Sequence, residues 1–190
     1  AVSASTVAIE FDAAPTTALA GADQQICGTS AVLAGNVPTI GTGVWTIQSG
    51  AGGSFVLNTN PTTTFNGVAG TTYVLRWTVS NGVCTDSFDE MTVIFDQAPT
   101  ASNAGLAQTG VNAICGTSTT LAGNVPGIGT GLWTIATGDG NGAFVDPTSP
   151  TTIFTGSTEF TYTLTWTISN GVCAVSASTV AIEFDAAPTT

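Results

Sequence analysis

Four cysteines are the residues of this chain best suited to covalent chemistry. They fall in two similarly spaced pairs, Cys27 with Cys84 and Cys115 with Cys173, separated by 57 and 58 positions. An even count at matching places favours disulfides and an oxidising compartment. Closing a loop of that length is worth about 4 kcal/mol in the chain-entropy account, before any native strain. The expectation is therefore one bridge within each half, Cys27 to Cys84 and Cys115 to Cys173, tying the start of a module to its last hairpin. The alternative is four buried thiols acting as small apolar residues. Metal binding by these cysteines is not expected, since there is no His and no CxxC spacing.

The carboxylates of Asp23, Asp86, Asp89 and Glu90 are the next candidates, because a calcium ion takes six to eight oxygen ligands. The competing reading is a set of solvated carboxylates that keep strand edges from pairing with other chains. The second reading is favoured, because residues 174–179 (AVSAST) hold no carboxylate at the corresponding place. No metal and no cofactor are expected. Four tryptophans, Trp45, Trp77, Trp133 and Trp166, would suit carbohydrate stacking. Each instead sits on an apolar strand face, with Tyr73 and Tyr162 on the same faces as Trp77 and Trp166, and is assigned to the core. Catalysis has no candidate: there is no His, no Lys and no GxSxG string, so an enzyme is not expected.

These residues are positioned by a repeat. Residues 1–17 (AVSASTVAIEFDAAPTT) recur letter for letter as residues 174–190. Inside that period lies a second, looser repeat. Residues 26–50 align with residues 114–138, and 19 of those 25 positions are identical. A window slightly longer than one period of a tandem array explains both facts. The expected division is residues 1–13 as the last strand of a preceding module, 14–97 and 98–186 as two full modules, and 187–190 as the start of the next linker.

Each module alternates apolar and polar residues over short runs, which is the period of a half-buried strand. Val7, Ile9 and Phe11 share one face of the first run. Tyr73, Leu75, Trp77 and Val79 share one face of residues 72–80, with Tyr162, Leu164, Trp166 and Ile168 as their counterparts. Asn81-Gly82 and Asn170-Gly171 follow, the favoured pair for a two-residue type I′ hairpin turn. No run shows useful helical periodicity. Seven or so short strands per module predict an all-β chain of tandem antiparallel β-sandwiches of the immunoglobulin type.

Only 7% of the residues are charged, with one Arg (Arg76) and a formal charge of −11. That balance argues against nucleic acid and anionic membrane surfaces as partners, since both need clustered Lys and Arg. No signal peptide is seen, and no apolar run reaches the ~20 residues of a membrane span, so membrane insertion is not expected.

The strings GTSAVLAGN, GTGVWTI, PTTTFNG and TTYVLRWTVSNGVC together resemble the PKD-like, immunoglobulin-like tandem repeats of giant extracellular surface proteins of Bacteroidetes-type bacteria. The string GADQQIC ending at Cys27 fits the AGxDQxxC pattern of such repeats, whereas GVNAIC ending at Cys115 lacks its Asp and Gln. The resemblance implies a bacterial cell-surface or extracellular location and a role in adhesion, gliding or surface coating. The expected function is a structural repeat of an extracellular filament whose partner is itself. The second reading is a spacer in a large adhesin, with carbohydrate or calcium as ligands. Successive repeats are expected to be one continuous polypeptide, with strand exchange between subunits as the alternative.

Overall fold

The computed structural model describes residues 5–9 and 11–187. The chain divides into two units, Ala1–Phe95 and Asp96–Thr190. Each builds seven strands in the same order. The first unit holds β1 (Gln24–Cys27), β2 (Ser30–Val32), β3 (Thr42–Ser49), β4 (Ser54–Phe55), β5 (Thr64–Asn66), β6 (Thr71–Ser80) and β7 (Ser87–Asp96). The second holds β8 (Ile114–Cys115), β9 (Ser118–Thr120), β10 (Thr130–Thr137), β11 (Ala143–Phe144), β12 (Ile153–Thr155), β13 (Phe160–Ser169) and β14 (Ser176–Asp185). The one helical turn among the described residues is a 3-10 turn at Gly110–Asn112.

In each unit a four-stranded sheet faces a three-stranded one. The first unit orders them β1-β7-β6-β3 and β2-β5-β4; the second repeats this as β8-β14-β13-β10 and β9-β12-β11. The alternation read from the sequence is realised directly. Along β6, Tyr73, Leu75, Trp77 and Val79 are fully buried, and the residues between them are half-exposed. The β13 strand repeats the pattern with Tyr162, Leu164, Trp166 and Ile168.

Both cores are organised on a tryptophan pair. Trp45 lies opposite Trp77 across β3 and β6, with ring centroids 5.1 Å apart. Trp133 and Trp166 repeat the pair at 5.1 Å across β10 and β13. All four are at most 2% exposed, as are Tyr73 and Tyr162. Gly43 and Gly131 create the room: a Cβ at Gly43 would lie 2.0 Å from the Trp77 ring, and one at Gly131 2.1 Å from Trp166. Phe65 packs edge-on to Tyr73 at 4.9 Å and stacks on Phe95 at 6.2 Å, joining the two sheets of the first unit. Phe154, Tyr162 and Phe184 do the same in the second.

The two copies of the repeated segment differ in state. Residues 176–185 form β14, paired with β13 from Phe160↔Phe184 to Ile168↔Ser176. Val180, Ile182 and Phe184 are buried there. The first copy was expected to form a strand over residues 1–11. Residues 1–4 and 10 lie outside the described residues, and residues 5–9 and 11 form no strand. Val7, Ile9 and Phe11, identical in type to the three buried residues of β14, are 82%, 73% and 90% exposed. Among the described residues, this segment pairs with no strand of the first unit. The end of the predicted next linker, residues 188–190, also lies outside the described residues.

Candidate functional site

One cysteine of each unit, Cys84 or Cys173, lies in a turn beside the linker that leads into that unit. After β6 the chain turns at Asn81-Gly82-Val83-Cys84, with the Cys84 N–H donating to the Asn81 carbonyl at 3.1 Å. Gly82 has φ +55° and Gly171 +53°, a region open to glycine, and no Asn or Val of these turns has positive φ. The expected two-residue I′ turn needs positive φ at both central residues. It is replaced by a six-residue connection, residues 81–86, with pairing resumed at Val79↔Ser87.

The cause is a long-range contact. Asp12, 71 positions earlier, accepts the Val83 N–H on Oδ2 at 3.1 Å, and Asn81 Nδ2 donates to the Ala13 carbonyl at 2.8 Å. A Cβ at Gly82 would meet that carboxylate. The second unit repeats the clasp more tightly. Asp96 Oδ2 accepts the Val172 N–H at 2.7 Å, and Asn170 Nδ2 donates to the Gln97 carbonyl at 2.7 Å.

The linker beyond each aspartate is also held by the unit it leads into. Thr16 Oγ1 accepts the N–H groups of Thr39 and Ile40 at 2.9 Å each. Asn36 Oδ1 accepts from the Leu19 N–H at 2.8 Å, and Asn36 Nδ2 donates to the Thr17 carbonyl at 2.9 Å. Thr100 and Asn124 do the same for residues 100–103. Aspartate, threonine and asparagine suit this task because their short side chains satisfy backbone groups in irregular chain.

The cysteines depart from expectation. Cys27 and Cys173 are disulfide-bonded, whereas Cys84 and Cys115 are thiols. The expected bridges within units, Cys27–Cys84 and Cys115–Cys173, are not formed, for a reason of length. Cys115 pairs with Asp185 at the far end of β14, and Cys173 precedes its near end at Ser176. Ten residues of strand span about 30 Å, against the ~4.4–6.8 Å between the Cα atoms of a disulfide. In the first unit the Ala20 N–H donates to Asp89 and the Thr92 N–H to Asp23, so this segment runs alongside β7. Cys27 is thereby carried toward the Asp96 end, while Cys84 lies before the Ser87 end.

Those two hydrogen bonds also show what the acidic candidates do. Asp23 and Asp89 hold the first segment to β7 through backbone N–H groups, at 2.7 and 2.8 Å. Asp86 is exposed on the loop before β7. Glu90 forms an ion pair with Arg76 at 2.6 Å, and the guanidinium lies 4.2 Å from the centre of the Phe88 ring. No group of three or more metal-ligating side chains comes together among the described residues. Two shallow clefts in the second unit, one lined by Pro126, Leu132 and Thr148, the other by Leu106, Gln108 and Asn112, have no ionisable residue in their walls. No helix of the described residues is long and apolar enough to cross a membrane.

The units also differ in a titrating contact of the core tyrosine. Tyr73 donates its hydroxyl to the Ala51 carbonyl at 2.7 Å, but its counterpart Tyr162 donates to the Asp139 carboxylate at 2.5 Å. Hydrogen bonds from Ser157, Tyr162 and the Asn141 backbone hold the Asp139 carboxyl well below the usual carboxylate range. A depressed folded pKa contributes stability that is present above the unfolded value, about 3.9, and is lost as pH falls through the folded value. Asp139→Asn is therefore expected to destabilise the second unit at neutral pH, with the difference from wild type shrinking below about pH 4. Urea unfolding at a series of pH values checks this. A difference that does not change with pH would show that the carboxylate charge plays no part.

No protein-family model matches this chain, and no curated protein matches it in sequence. Solved structures do match in shape. One of Sidekick-1 immunoglobulin domains 1-4 superposes with a TM-score of 0.57 at 11% identity, covering 96% of this chain and 51% of that one. One of Sidekick-1 immunoglobulin domains 1-5 gives 0.56 at 11% identity, over 94% of this chain and 40% of that one. The chain thus spans about half or less of these two structures. Together with two-sheet units of seven strands, these likenesses establish an all-β, immunoglobulin-like β-sandwich fold.

Proposed function

We propose that this chain is a structural repeat of an extracellular filament, built from alternating immunoglobulin-like units and acting through self-association rather than catalysis. The observation that carries this reading is the docked linker. At each repeat boundary, residues from the strand-end aspartate onward are hydrogen-bonded to the unit that follows. A linker held by the unit it enters suits a fibre that must carry tension. The returned segment, residues 1–17 and 174–190, supplies the periodicity.

The composition supports a durable extracellular material. Arg76 is the one trypsin site, and its backbone lies mid-strand between Thr46 and Glu90. The disulfide-bonded Cys27 and Cys173 suit an oxidising setting. The resemblance to repeats of giant bacterial surface proteins points the same way, as does the shared fold with extracellular immunoglobulin domains. A spacer in an adhesin is the second reading, favoured only by that fold.

Electron microscopy of the native material separates the two. Ordered stiff fibres are expected, and isolated flexible threads would overturn the filament reading. Native material is also expected to survive trypsin, and to resist a broad-specificity protease until it is reduced. Rapid cutting of unreduced material within DAAPT or DQAPT would show a loose linker.

A further inference from the structure

We propose that Cys115 of one repeat and Cys84 of the next form a disulfide that staples consecutive repeats. The inference rests on the tandem reading above and takes its geometry from each unit separately. Residues 1–12 and 174–185 are identical, so Asp12 corresponds to Asp185 one period on. In the second unit, Asp185 is the parallel ladder partner of Cys115, and the Gly116 N–H donates to the Asp185 carbonyl at 3.0 Å. In the first unit, Cys84 Sγ lies 3.5 Å from the Asp12 carbonyl oxygen. One thiol flanks the aspartate as it ends a strand, and the other flanks the same aspartate as it leads into a unit. When residues 1–12 serve as the last strand of the preceding repeat, both thiols meet at one peptide. Neighbouring strands lie about 4.8 Å apart, which is the scale a disulfide spans.

The states of the cysteines agree with this assignment. Cys84 and Cys115 are the thiols, half-exposed and exposed respectively. Their counterparts Cys173, after the Asn170-Gly171 turn, and Cys27, at the end of β1, are disulfide-bonded. Strand length keeps Cys115 from Cys173, and the course of Cys27 toward the Asp96 end of β7 keeps it from Cys84.

The bond forms with a low-molecular-weight disulfide as oxidant. The Cys84 thiolate attacks that disulfide, releasing one small thiol and leaving a mixed disulfide. The Cys115 thiolate then displaces the second small thiol. Two cysteine thiols are oxidised to one disulfide, the small disulfide is reduced to two thiols, and the two cysteine protons pass to the released thiolates.

The test uses a chain of two periods, residues 1–173 followed by residues 1–190, oxidised with glutathione disulfide. Each period carries four cysteines. Thiol titration and peptic peptide mapping are expected to show Cys115 of the first period bonded to Cys84 of the second, with two thiols left per chain. Four remaining thiols, or a bond from either cysteine to Cys27 or Cys173, would overturn the proposal. Cys115→Ser in the first period is expected to raise the count to three, with unchanged tryptophan fluorescence reporting folded units; a count still at two would also overturn it. The staple without fibres would sink the filament reading alone, and fibres whose Cys84 and Cys115 are alkylated before reduction would sink the staple alone.

Discussion

A chain ending at Cys173, and so lacking β14, is expected to polymerise head to tail. The deletion removes the ladder from Phe160↔Phe184 to Ile168↔Ser176 and uncovers the slot filled by Val180, Ile182 and Phe184. The second unit cannot close its core without that strand. An identical segment is present in every copy, since residues 1–12 repeat residues 174–185. Its Val7, Ile9 and Phe11 are exposed and available to a second molecule. Burying three such side chains is worth roughly 1.5–3 kcal/mol each, in addition to the ladder hydrogen bonds. Sedimentation velocity is expected to show a concentration-dependent series of oligomers, abolished by Phe11→Asp. A monomer with an unfolded second unit at all concentrations would mean that residues 1–12 do not fill the slot.

Trp77→Ala is expected to destabilise the first unit by about 3–5 kcal/mol, the range for truncating a large buried aromatic. Trp77 is 0% exposed, packs obliquely on Trp45 and closes over Gly43, so truncating it leaves a cavity in the core. The measurement has a built-in reporter. Arg76 is the only Lys or Arg in the chain and lies in β6. Trypsin pulses along a urea gradient therefore read the unfolding of the first unit alone. A loss below about 1 kcal/mol would show that the ring contributes little to the core. Trp166→Ala is expected to leave that trypsin midpoint unchanged, because its contacts lie in the second unit.

What could be read from the chain in advance was whatever local periodicity controls. A strand shows its two faces at alternate residues, so the burial of Tyr73, Leu75, Trp77 and Val79 follows from their spacing. The candidate site was legible only in its parts. The strings FDAAP and NGVC recur, with FDQAP as a variant of the first, yet nothing local says that the aspartate of one reaches the turn of the other across 71 positions. Read alone, Asn81-Gly82 is a tight hairpin turn and DAAPT a loose linker. Together they form a clasp that widens the turn and binds the linker.

The sequence by itself determined the sandwich, the burial of its tryptophans and the repeat, because alternation, residue type and identity need no knowledge of distant contacts. The tertiary structure alone decided the cysteines. Pairing by count assumed that the two cysteines of a module lie together. Ten residues of β14 separate Ser176 from Asp185, and with them Cys173 from Cys115. A disulfide answers to distance in space, and that distance is set by strand direction and register, which only the assembled sheet supplies.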